Sequence, residues 1–196
     1  MPKRIRTFIA VEIAESVRER LVALQNELRR SAQEVKWVEP ENLHPTLKFL
    51  GDVDEQDLYT VCKTAEQAVA DCSPFEMNVA GVGAFPHTRR PRVIWAGVGQ
   101  GASELTKIHE SLERLFREQG YPREDRPFTP HLTLGRMRQP KPTLQLAAAL
   151  DKLVNWEGGS THVREILIMS SQLSPKGPTY TVMGRGKFAA GSPSEI

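Results

Sequence analysis

Apolar residues recur at helical spacing in several stretches of this chain and crowd into short runs between them. Val17, Leu21, Leu24 and Leu28 share one face of a helix predicted over 16–30, and Leu58, Cys62, Ala65 and Val69 do the same over 54–70. Leu105, Ile108, Leu112 and Leu115 mark a helix over 103–119, and a further helix is expected over 144–154. Ser16 and Glu19 have capping-box spacing, while Asp54 and Thr143 are candidate caps. Strands are expected over 4–12, 35–38, 45–50, 75–85, 92–98, at His131, over 162–170 and over 179–188. Proline, glycine and charge collect at 86–92, 120–130, 140–142 and 173–178, which read as rim loops.

The order strand, helix, strand, helix, strand occurs twice, although residue identity between the halves is low. It predicts an α+β fold of two pseudo-symmetric lobes, each an antiparallel sheet with outer helices, and a cleft between the sheets. The expected organisation is a single bilobal domain over 1–188 and a flexible tail over 189–196. A hydrophobic content of 39% and a charged content of 26% suit a globular chain, and no apolar run approaches the length of a membrane span. The N-terminus leads straight into a strand pattern and not into a signal-peptide core, so a cytoplasmic protein is expected. Cys62 and Cys72 lie ten residues apart on one predicted helix, about 15 Å at 1.5 Å per residue, too far for a disulfide. A formal charge of +2 does not announce nucleic-acid binding, so any such signal must be local.

Two segments nearly repeat each other: His44-Pro45-Thr46-Leu47 and His131-Leu132-Thr133-Leu134. In a strand, residues i and i+2 share a face, so each segment sets an imidazole beside a hydroxyl. Imidazole titrates near pH 6.5, so one ring of a pair can serve as base while the other serves as acid. Two such rings flanking a phosphate would divide proton transfer between attacking and departing oxygens without a metal, and the threonines would hold the non-bridging oxygens. One His-x-Thr carries little weight, because a strand histidine is ordinarily structural. Two copies in equivalent places of a repeated unit carry much more.

The pattern resembles the two-histidine (2H) phosphoesterase superfamily, specifically the RNA 2',3'-cyclic phosphodiesterases also called 2'-5' RNA ligases. The resemblance runs from Arg6-Thr7-Phe8-Ile9-Ala10 through Trp37 to Gly51 and Phe128 to Arg136, with Ser171-Gln172-Leu173 and Gly177-Pro178-Thr179-Tyr180 similar to the family's C-terminal strands. It implies hydrolysis of a 2',3'-cyclic phosphate end on RNA to a 2'-phosphate, with no cofactor and no metal, and reversible 2'-5' ligation in some members. It also implies that His44 donates to the leaving 3'-oxygen and His131 activates water. The alternatives are a 2H enzyme for 2'-5' linkages or small cyclic nucleotides, and a non-catalytic module that binds RNA ends. A monomer is expected, with RNA as partner and no membrane.

Thr46, Thr133 and Arg136 are the candidate substrate-binding residues. Strict alternation puts Arg136 on the Leu134 face, away from His131, so its use needs a strand end or a twist. Pro45 has no N–H and belongs at an edge or irregular point. Neither motif has the short spacing of a zinc site. His87, His109 and His162 read as structural or surface residues. Basic residues gather at Arg89, Arg90 and Arg92, at Arg123 and Arg126, and at Arg138 and Lys141, where solvated charge and phosphate contact compete as explanations. Trp37 and Phe8 could stack a base, although packing in the core explains both.

Overall fold

Two antiparallel sheets carry the chain in the computed structural model, which describes residues 3–32, 34–139, 144–175 and 177–189. The first sheet has the order β3 (Thr46–Asp54), β1 (Arg4–Ala10), β8 (Glu165–Ser174), β9 (Gly177–Lys187). The second has the order β2 (Val35–Trp37), β6 (His131–Met137), β5 (Val93–Val98), β4 (Phe75–Phe85), β7 (Glu157–Val163). The two antiparallel sheets with helices are the expected α+β architecture, and each sheet draws strands from both halves of the chain.

The helices are exchanged between the sheets as well. Helix α1 (Glu15–Arg29) follows β1 of the first sheet yet packs on β7 of the second. Helix α3 (Ala102–Glu118) follows β5 of the second sheet yet packs on β3 of the first, beside α2 (Leu58–Ala68), while α4 (Leu144–Lys152) lies on β4. The predicted stripes are the faces that become buried: Val17, Leu21, Leu24 and Leu28 on α1, and Leu105, Ile108, Leu112 and Leu115 on α3. Each fully buried leucine or isoleucine contributes about 1.5–3 kcal/mol.

Local details depart from the sequence reading for physical reasons. The N-cap of α1 is Ala14, with no side-chain cap; the Ala14 N–H donates across to Thr161 Oγ1 at 2.9 Å, so Ser16 and Glu19 form no capping box. Asp54 ends β3 and pairs with Arg4 instead of capping, and a 3-10 turn at Glu55–Asp57 precedes α2. Strand β7 escapes sequence reasoning because its Glu-Gly-Gly-Ser sequence lacks apolar alternation. In the segment 173–178, expected as a loop, Leu173 and Ser174 end β8 and pair with Pro178 and Gly177 of β9. Cys62 lies on α2, but the helix ends at Ala68, so Cys72 is not on the same helix as expected; both are free thiols. The Thr143 cap, the 140–142 loop with Lys141, and all of the tail beyond residue 189 lie outside the described residues. Among the described residues no helix is long and apolar enough to cross a membrane.

One buried charge locks α3 to β3. Lys48 is 1% exposed, and its ammonium pairs with the Glu113 carboxylate and donates to the Pro122 carbonyl at 3.3 Å. Removing one partner of a buried pair leaves an uncompensated charge. Glu113→Ala is expected to cost about 3–5 kcal/mol in urea unfolding. The double variant Lys48→Met/Glu113→Leu is expected to recover most of that loss.

Candidate active site

The two histidine segments come from different sheets and meet through their backbones. Pro45 and Leu132 form an isolated antiparallel bridge between the sheets, so the residue after His44 lies opposite the residue after His131. Proline is accommodated because Pro45 offers its carbonyl, which accepts from the Val11 N–H at 3.0 Å, and precedes the first ladder residue of β3.

His44 is delivered by a 3-10 turn at Pro40–Asn42. The buried Asn42 amide donates to the Pro178 carbonyl of β9 at 2.9 Å, and the Arg18 guanidinium donates to the Pro40 carbonyl. These bonds draw the turn over the first sheet. The His44 ring then stacks on Phe8, with centroids 5.1 Å apart, and meets the edge of Tyr180 at 5.4 Å. His131 opens β6, where Phe85 stands edge-on to its ring at 5.0 Å. Each ring is hydrogen-bonded to the backbone carbonyl two residues earlier: Asn42 for His44, and Thr129 for His131, whose Nδ1 lies 2.6 Å from that oxygen. For His131 this fixes the tautomer and leaves Nε2 for other partners.

Both motifs contain a β-bulge at the same leucine. In β3, Thr46 faces Ala10 and Lys48 faces Ile9, so Leu47 is the extra residue. In β6, Thr133 faces Trp95 and Gly135 faces Ile94, so Leu134 is the extra residue. A bulge reverses the alternation beyond it. Leu134 and Gly135 are both buried, and Arg136 emerges on the exposed side with His131 and Thr133. Strict alternation fails for Arg136 for this reason. Its charge acts on both the His131 ring and the Tyr180 phenol, which lie on opposite sheets. Gly135 is required at the bulge, since a Cβ there would sit 2.5 Å from Val35 Cγ1.

At each bulge leucine a helix supplies a buried polar side chain to the backbone carbonyl, which at Leu134 also accepts from the Val38 N–H at 2.9 Å. Gln25 of α1 donates Nε2 to the Leu134 carbonyl at 2.9 Å and to the Val38 carbonyl at 2.8 Å. His109 of α3 donates from Nδ1 to the Leu47 carbonyl at 2.7 Å and stacks on Phe128, three residues before His131, at 4.1 Å. Sequence reasoning misses Gln25 and makes His109 an ordinary structural residue. The available signal is a polar residue on an apolar helical stripe, directly after Leu24 in one helix and Ile108 in the other.

Burial depresses the proton affinity of both rings. His44 is held at about 4, chiefly by burial and further by the Arg18 charge, with the Asn42 carbonyl opposing. His131 is lowered by burial and by Arg136, with the Thr129 carbonyl opposing. Burial raises Tyr180, while Arg136 and Arg6 pull it down. Among the described residues no group of three or more His, Cys, Asp or Glu is placed to hold a metal ion. Phe8, 3% exposed, and Trp37, 9% exposed, are core residues without a free face for a base. Arg123 and Arg126 line a separate groove against α3 together with Glu110 and Glu118, so their charge is matched locally.

A family model described as LigT-like phosphoesterase matches the chain twice, over residues 11–95 and 97–180. The chain belongs to this phosphoesterase family. It is 38% identical over 180 residues to a protein of Methanothermobacter thermautotrophicus named RNA 2',3'-cyclic phosphodiesterase, covering 92% of this chain and 97% of that one. A protein of the same name from Archaeoglobus fulgidus is 38% identical over 176 residues, covering 90% and 96%. The crystal structure of TT0787 of Thermus thermophilus superposes with a TM-score of 0.80 at 30% identity, over 95% of this chain and all of that one. Escherichia coli LigT complexed with 3'-AMP shares the fold, with a TM-score of 0.73 at 23% identity over 95% and 99%.

Two measurements follow from the geometry. A histidine whose folded pKa lies below the unfolded value near 6.5 favours the fold while neutral. That contribution is complete above pH 6.5 and is lost as the pH falls towards 4. The melting temperature of the native protein is therefore expected to fall from pH 6.5 to 4, with a shallower slope in His44→Gln, as calorimetry will register. His109→Leu removes the side-chain donor to the Leu47 carbonyl and Gln25→Leu the donor shared by the Leu134 and Val38 carbonyls, and each is expected to cost about 1–3 kcal/mol in chemical unfolding.

Proposed function

We propose that the protein hydrolyses RNA 2',3'-cyclic phosphate ends to 2'-phosphates, using the two histidines and no metal or cofactor. The observation that carries this reading is the Pro45–Leu132 bridge, which sets two His-x-Thr segments from opposite sheets side by side. Arg136, whose charge acts across the gap between the sheets, supports it.

In this mechanism the cyclic phosphate lies between the rings, its non-bridging oxygens held by Thr46, Thr133 and Arg136. His131 takes a proton from water as the water oxygen bonds to phosphorus. His44 gives its proton to the 3'-oxygen as the P–O3' bond breaks, leaving a free 3'-hydroxyl and a 2'-phosphate. The rings end with protonation states exchanged and reset through solvent. The same step with an RNA 5'-hydroxyl attacking in place of water, its proton taken by His131 as P–O3' breaks, gives a 2'-5' linkage, and the reverse of that step returns the cyclic phosphate and the 5'-hydroxyl. The protein acts as a monomer in the cytoplasm, on RNA.

Burial lowers the proton affinity of both rings, so the acid gains its proton together with the substrate. An anion beside His44 raises the ring's proton affinity, and the cyclic phosphate brings that charge. Accordingly, kcat/KM is expected to be bell-shaped with its maximum on the acid side of neutrality, and the kcat profile to lie at higher pH. His44→Ala and His131→Ala should each lower turnover of a 2',3'-cyclic-phosphate oligonucleotide by roughly 100- to 10,000-fold. Thr46→Ala and Thr133→Ala should cost less, and EDTA should leave native turnover intact. A 3'-phosphate product, or activity restored to a chelated sample only by a divalent ion, contradicts the mechanism.

A further inference from the structure

The first sheet presents two dissimilar rows of side chains on the face that carries His44. Cross-strand register sets Phe49, Phe8, Met169 and Val182 in one row across β3, β1, β8 and β9. The next row along the strands is Asp52, Arg6, Ser171 and Tyr180. His44 covers the middle of the apolar row by stacking on Phe8, and the row emerges beyond it: Phe49 is 52% exposed and Val182 is 40% exposed. Phe49 touches Phe8 with centroids 6.0 Å apart, so its ring is the aromatic surface that continues outward from His44. Its position on this face is a product of the Leu47 bulge, which brings Thr46 and Phe49 to the same side although they are three residues apart.

Arg6 faces Asp52 directly and lies diagonally across from Phe49, one row further on past a second bulge at Leu50. Diagonal neighbours of an antiparallel pair are about 7–8 Å apart. An open aromatic face beside a guanidinium, at that separation, matches a nucleotide, whose flat base is joined through ribose to an anion. Bases stack on such rings whatever their identity, and the cation tracks the backbone. The cyclic phosphate itself is provided for by Thr46, Thr133 and Arg136, so this second pair would be idle on a mononucleotide.

We propose that Phe49 and Arg6 form a subsite for the nucleotide 5' to the cyclic phosphate, with its base on Phe49 and the internucleotide phosphate on Arg6. The inference rests on the hydrolase reading and narrows it: the substrate is an oligonucleotide end, and a nucleoside 2',3'-cyclic monophosphate fills only half of the floor. Charge complementarity selects the occupant, since Arg6 faces a cleft into which Arg136 also projects its charge.

The test compares kcat/KM for a nucleoside 2',3'-cyclic monophosphate with that for a dinucleotide ending in a 2',3'-cyclic phosphate. The native protein is expected to prefer the dinucleotide by roughly tenfold or more, the scale of one stacked base. Phe49→Ser and Arg6→Gln are each expected to bring the ratio of the two substrates towards one. The mononucleotide rate within each variant reports that the fold and the histidine pair are intact. A native ratio near one, or variants that slow both substrates by the same factor, overturns the subsite. If neither substrate is turned over, the hydrolase reading fails by itself. The ratio of dissociation constants for 2'-phosphate-ended dinucleotide and mononucleotide then decides the subsite, a ratio near one overturning it.

Discussion

The arrangement of this cleft depends on two carbonyl groups. When one residue too many is inserted into a strand, the ladder loses step and a buried oxygen is left with incomplete pairing. Leu47 and Leu134 are those residues, and His109 and Gln25 answer their carbonyls from helices of the other half of the chain. What the distortion achieves is a change of face. Without it, Phe49 and Arg136 would point into the helices, and the residues that now line the gap would be limited to the His-x-Thr pairs. The irregularity is therefore part of the site and is held by groups that have no reason to touch a substrate.

Burial then sets the chemistry. An imidazole in bulk water near neutrality exchanges its proton readily, so its surroundings decide which form it takes. Here aromatic neighbours, Phe8 and Tyr180 around His44 and Phe85 beside His131, strip water from the rings and lower their proton affinity. Arginines near each ring push in the same direction. An empty cleft of this kind is positively charged and poor in protons. In the mechanism proposed above, the anionic substrate offsets the guanidinium charge and favours protonation of a ring.

Much of this was legible in the chain itself. The helix stripes of α1 and α3, the strand at Phe75–Phe85 and the paired histidines all follow from periodicity and repetition. The rest was lost where structure breaks the period. Arg136 could not be placed because a bulge is invisible to an alternation rule, and Lys48 is buried for the same reason. Asn42 and Tyr180 meet at His44 only because β9, at the far end of the chain, lies over the turn before β3. The mixing of both halves within each sheet is not legible because strand order in a sheet is decided by long-range pairing that no local window contains.

Helix exchange has a last consequence, for motion and for origin. A molecule whose every layer is built from both halves cannot swing open like a clam, because parting the sheets would strip α1 and α3 from the surfaces that bury their leucines. Ligands must enter through a frame that is already assembled, with adjustment confined to side chains and rim. The same interlock means that one half alone would present a bare apolar stripe to water, and could hide it only by trading helices with an identical copy. Fusion of two such copies would turn an association that depends on concentration into one fixed covalently.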